Sequence, residues 1–179
     1  NDLNTARYAL GGNGTATSAL AYGGNKVPSP GCADTETWNG TNWTEVNDLN
    51  TPRAYLDGAG ADSTSAIAIG GDPATAVTEL WNGTNWTEVN DLTTARAQMG
   101  AAGIATAALA FGGTPPITGK TESWNGSNWT EVNDLNTGRS DPGGAGTNTA
   151  ALAFGGYNGT ARVAVTETWN GTNWTEDAD

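Results

Sequence analysis

Apolar residues in this chain fall in short alternating runs. The clearest are Ala19-Leu20-Ala21-Tyr22, Ala66-Ile67-Ala68-Ile69, Ala108-Leu109-Ala110-Phe111 and Ala151-Leu152-Ala153-Phe154, each followed by Gly-Gly. A period of two predicts strands that present Ala on one face and a large side chain on the other. Both faces are apolar, so both must be covered. Sheets packed face to face would achieve this, the large side of one filling the space left by the small side of the next.

Each run is flanked by the same neighbours. Before it, following Arg7, Arg53, Arg96 or Arg139, comes a stretch largely of Gly and Ala, such as Gly100-Ala101-Ala102-Gly103. Such a stretch suits a strand where backbones crowd together. After it come TETW, TELW, TESW or TETW, ending at Trp38, Trp81, Trp124 and Trp169, then Asn-Gly, then NWT with Trp43, Trp86, Trp129 and Trp174. Asn-Gly between two strand patterns predicts a hairpin, because both residues tolerate positive φ. The order therefore predicts four four-stranded antiparallel meanders, in repeats 1–46, 47–89, 90–132 and 133–179. They form one domain over 1–179, since a unit of this size cannot bury its own apolar face. The segment Trp38–Leu49 returns nearly unchanged at Trp81–Leu92 and Trp124–Leu135, and a fourth copy from Trp169 stops after Glu176. The polar ending Asp177-Ala178-Asp179 reads as a terminus or a trimmed linker.

An Arg, a small-residue strand, an apolar strand ending in Gly-Gly, a Trp and a second spaced Trp resemble the kelch repeat. The resemblance covers all four repeats and implies an all-β propeller with one blade per repeat, the Arg-led strand innermost and the NWT strand outermost. It differs in the short Trp38 to Trp43 spacing and in the number of repeats. Two expectations follow, a closed four-bladed monomer or half of an eight-bladed dimer. The termini fall between blades, so closure would depend on blade packing alone.

Composition changes the picture in two ways. Formal net charge is −12 with few large aliphatics, which taken alone suggests disorder. The eight Trp and 26 Gly, placed in register, argue for a packed fold instead. Two Lys and five Arg against 19 acids offer no positive surface for nucleic acid or anionic lipid, and no apolar run is long enough to span a membrane. The lone Cys32 excludes an internal disulfide, and with no His to activate it a reactive thiol is not expected.

Candidate chemistry lies where the repeats differ. The links between second and third strands carry Lys26, Lys120, Tyr157 and Arg162, and the residues after the repeated Arg include Tyr8, Tyr55, Gln98 and Asp141. These eight are the expected binding residues, on one face of the scaffold. Aromatic rings beside polar oxygens suit a sugar or a protein surface. Arg7, Arg53, Arg96 and Arg139 would form a ring near the axis, able to fork a carboxylate. Structural pairing between blades with Glu36, Glu79, Glu122 and Glu167, or with Asp48, Asp91 and Asp134, is the favoured role. Ten Asn-x-Ser/Thr sites occur, most of them explained by turn formation. Asn47, Asp48 and Asn50 lack the oxygen set of a Ca²⁺ loop, so no metal or other cofactor is expected.

The functional expectation is a non-catalytic module that binds a protein or glycan and sits outside a cell or on a virion, with self-association as a further option. A building block of a larger assembly is the alternative. A glycoside hydrolase working through paired carboxylates ranks third.

Overall fold

The computed structural model describes residues 1–177 and is all-β. Each repeat folds into one antiparallel sheet of four strands taken in chain order. The first sheet holds β1 (Gly11–Thr15), β2 (Ser18–Tyr22), β3 (Thr35–Trp38) and β4 (Trp43–Val46). The second holds β5 (Asp57–Asp62), β6 (Ser65–Ile69), β7 (Thr78–Trp81) and β8 (Trp86–Glu88). The third holds β9 (Gly100–Ile104), β10 (Ala107–Phe111), β11 (Thr121–Trp124) and β12 (Trp129–Val132). The fourth holds β13 (Gly143–Thr147), β14 (Ala150–Phe154), β15 (Thr166–Trp169) and β16 (Trp174–Glu176).

The Gly- and Ala-rich strands β1, β5, β9 and β13 lie side by side along the inner edges of successive sheets. Their composition follows from crowding: a methyl on Gly58 would overlap the Ile67 carbonyl and the Tyr22 hydroxyl, and one on Gly144 the Ala101 carbonyl. All four strands line one cleft through Gly14, Gly58, Ala102 and Gly146.

The sheets nest as the alternation predicts. Leu20 and Tyr22 of β2 pack on Ala66, Ala68, Trp81 and Trp86 of the second sheet. Ile67 and Ile69 pack likewise on Ala108, Ala110, Trp124 and Trp129, and Leu109 and Phe111 on Ala151, Ala153, Trp169 and Trp174. β2, β6 and β10 thus each enter a socket floored by two Ala and walled by two indoles. Burying one such side chain contributes about 1.5–3 kcal/mol, before the entropy of ordering it.

The two Trp of a repeat do different work. The first seals its own sheet, as Trp81 donates its indole N–H to the Ser63 carbonyl at 2.9 Å and Trp124 to that of Ala105 at 3.0 Å. The second keys into the preceding sheet: Trp86 donates to Thr35 Oγ1, Trp129 to Thr78 Oγ1 and Trp174 to Thr121 Oγ1, each at 3.0 Å.

The turn between them is the hairpin that Asn-Gly predicts. Trp38 pairs directly with Trp43, leaving a four-residue loop. Only Gly40 takes positive φ, at 91°, while Asn39 Oδ1 accepts the Thr41 and Asn42 amides at 2.9 Å. The asparagine therefore acts through its side chain, as an Asx turn, rather than through its backbone.

Candidate functional site

The connections leaving the second strands meet those entering the first strands on one face. Here Gly-Gly is required: Gly24 and Gly71, at φ 102° and 128°, donate their amides to the carbonyls of Arg53 and Arg96 in the next sheet at 2.9 and 3.1 Å. One residue past the short bridges Tyr8–Asn25, Ala54–Asp72, Ala97–Thr114 and Ser140–Tyr157, the chain turns into the left-handed region four times. Ala9, Tyr55, Gln98 and Asp141 have φ between 51° and 55°. A non-glycine residue held so costs about 1–3 kcal/mol. What holds it is a relay of backbone hydrogen bonds from sheet to sheet, with Tyr55 N donating to Ala9 O, Gln98 N to Tyr55 O and Asp141 N to Gln98 O at 2.7–2.9 Å.

This relay rims a cleft of about 270 Å³ lined by Ala9, Tyr55, Asp57, Gln98, Met99 and Asp141. Tyr55 and Gln98 also border a second recess of about 260 Å³ with Asp72, Thr114 and Pro115. Gln98 Nε2 donates to Asp141 Oδ2 at 3.2 Å, so the two side chains form one polar edge opposite the Tyr55 ring. Deeper in the cleft, Asp57 accepts the amides of Gly58 and Ala101, both at 2.9 Å, and so ties β5 to β9. Burial raises its carboxyl to about 7, against the pull of those two amides. Burial, and then the Asp57 charge, push the Tyr22 hydroxyl well above its usual range.

Tyr8 is one residue out of register with this rim. Its counterparts are Ala54, Ala97 and Ser140 in the bridges, and its side chain points to solvent at 55% exposure. Of the eight residues singled out from sequence, the structure brings Tyr55, Gln98 and Asp141 together. The others lie apart from them. Lys26 pairs with Asp34 at 2.7 Å and Lys120 with Glu131 at 2.9 Å, and Tyr157 donates its hydroxyl to the Gly159 carbonyl at 2.9 Å within its own loop. Arg162 is exposed beyond that loop. Asp57 went unremarked in the sequence, although counting four residues from each repeated Arg finds it where the other repeats have Gly11, Gly100 and Gly143.

The repeated arginines do not bridge sheets through their side chains. Each guanidinium is buried and pairs with the third-strand glutamate of its own repeat: Arg7 with Glu36 at 3.3 Å, Arg96 with Glu122 at 3.1 Å, Arg139 with Glu167 at 2.6 Å, and Arg53 with Glu79. Asp48, Asp91 and Asp134 instead accept the amides of Thr35, Thr78 and Thr121 at 3.1–3.2 Å, fixing the links between sheets. Cys32 is buried and donates to the Gly23 carbonyl at 3.3 Å, and burial raises its thiol pKa, as expected of an unreactive thiol. Among the described residues no three Cys, Asp or Glu side chains converge as a metal site requires. Neither a protein-family model nor a curated protein matches this chain.

Proposed function

We propose that the chain is a kelch-type propeller module that recognises a glycan or a protein, without catalysis, at the mouth of its central cleft. The observation that carries this reading is the rim: four register-equivalent positions share one strained backbone conformation, yet bear Ala9, Tyr55, Gln98 and Asp141, while the outer hairpins of the same repeats are nearly identical. The scaffold holds the backbone and leaves the side chains to vary. Tyr55 supplies a ring for stacking, the Gln98–Asp141 edge supplies oriented donors and acceptors, and Asp57 gives the floor a titrating oxygen pair. Display outside a cell or on a virus particle accords with such a role.

A glycan array and a surface-protein panel, probed with the full chain and with Tyr55→Ala and Gln98→Ala, test the proposal. A ligand whose binding falls at least tenfold in both variants is the expected result. Binding unchanged in both, and also after exchange of the four second-to-third links, overturns it.

A further inference from the structure

Three interfaces between sheets share one chemistry, and the outermost sheets carry its two halves unpaired. On the fourth sheet Leu152 and Phe154 are 41% and 44% exposed, whereas Leu20, Tyr22, Ile67, Ile69, Leu109 and Phe111 are at most 1% exposed. On the first sheet Trp38 and Trp43 are only half-buried, while the six other Trp are buried. Knobs stand open at one end and a socket at the other. Apolar surface of this kind marks an interaction site.

Polar groups point the same way. Thr35, Thr78 and Thr121 each accept an indole N–H and donate a backbone amide to a link aspartate. Thr166, in the same register, makes neither bond among the described residues, and neither does Trp43 Nε1 or the Asp2 carboxylate, the groups that would complete them. The backbone relay at the rim likewise runs from Ala9 to Asp141 without returning. Within one chain β1 lies against β5, β5 against β9 and β9 against β13, whereas β13 and β1 make no comparable contact.

We propose that the occupant is a second copy of this chain: Leu152 and Phe154 of each copy enter the Ala19–Trp38–Trp43 socket of the other. Trp43 Nε1 then donates to Thr166 Oγ1 across the joint, and Asp2 accepts the Thr166 amide. Two such head-to-tail joints related by a twofold axis close a ring of eight sheets with no open face. Leu152, Phe154, Trp38 and Trp43 do not line the cleft, so loss of the joint can be read separately from loss of ligand binding.

Sedimentation velocity of the full chain over a wide concentration range tests this. A dimer of twice 18.2 kDa is expected. Leu152→Asp/Phe154→Asp should raise its dissociation constant about a hundredfold or more, while Ile104→Asp, equally exposed elsewhere, should leave it unchanged. Trp43→Cys/Thr166→Cys should cross-link between copies under oxidation. A monomer at every concentration, with that cysteine pair closing inside one chain, overturns the proposal. So does a mass that grows without limit as a filament would, or a dimer indifferent to Leu152→Asp/Phe154→Asp.

Discussion

Removing the carboxylate of Glu79 is a severe single change to the polar interior. Its two oxygens accept the Asn50 amide at 2.7 Å, the Asn50 side-chain amide at 2.8 Å, the Thr51 amide at 3.3 Å and the Arg53 guanidinium. Arg53 and Glu79 are 1% and 0% exposed. Glu79→Ala therefore strands a charge in the interior and orphans the Asn50 and Thr51 backbone amides of the link between the first two sheets, while the Asn50 side chain keeps its bond to the Trp86 carbonyl at 3.0 Å. Breaking a buried pair in this way costs about 3–5 kcal/mol, a large part of the ~5–15 kcal/mol that holds a domain together. At ~2–4 °C per kcal/mol, the melting temperature should fall by about 6–20 °C. Glu88 lies directly across the ladder and is exposed, so Glu88→Ala should change stability by no more than ~0.5 kcal/mol. Arg53→Met/Glu79→Met removes the stranded charge and should recover part of the loss, the Asn50 and Thr51 donors remaining unmet. Urea denaturation followed by Trp fluorescence reads all three. A shift below ~2 °C for Glu79→Ala, or a double variant no more stable than the single one, would refute the reasoning.

Other outcomes follow from the same contacts. Asp57 has a folded pKa of about 7 against about 3.8 unfolded, so its contribution is fully present below pH ~4 and is lost as pH rises through ~7. The loss is at most ~4 kcal/mol, and less because the cleft is open to water. Asp57→Asn should flatten the stability profile between pH ~4 and ~7, and parallel profiles for the two proteins would count against the assignment. Gly58→Ala forces β5 from β6 and from Tyr22 and should cost ~1–3 kcal/mol, whereas Gly12→Ala, whose methyl would lie 3.3 Å from the Leu20 carbonyl, should cost much less. Equal melting temperatures would contradict the crowding argument. Trp86→Phe keeps the ring in its socket but deletes the bond to Thr35, a loss of ~1 kcal/mol that calorimetry can resolve.

What could be read from sequence was whatever depends on side-chain size along a strand. Ala-Leu-Ala-Phe with Gly-Gly fixes which face is knob and which is socket, and two Trp at constant spacing locate the outer hairpin. What could not be read depends on hydrogen bonds between units. Tyr8 looks like the partner of Tyr55 by residue type, but the bridges place Ala9 there instead. Lys26, Lys120 and Tyr157 look available in variable links, yet each finds a partner within its own repeat that no pattern of hydrophobicity announces. Asn-Gly signals the turn, but not that the asparagine side chain rather than its backbone shapes it. The arginines pair inside their own sheets because the guanidinium of the entering connection passes over the second strand, where Arg53 Nη2 reaches the Ala68 carbonyl at 3.4 Å, on its way to the third.

Each sheet carries both a male and a female surface of one joint, with the same threonine–indole latch at its edge. Inserting or excising a whole unit therefore creates no new kind of seam. A longer or shorter array would keep each joint between neighbouring sheets, while the closing of a ring would change with the number of units. For such a molecule, the number of units is set by where the array stops rather than by the design of any one unit.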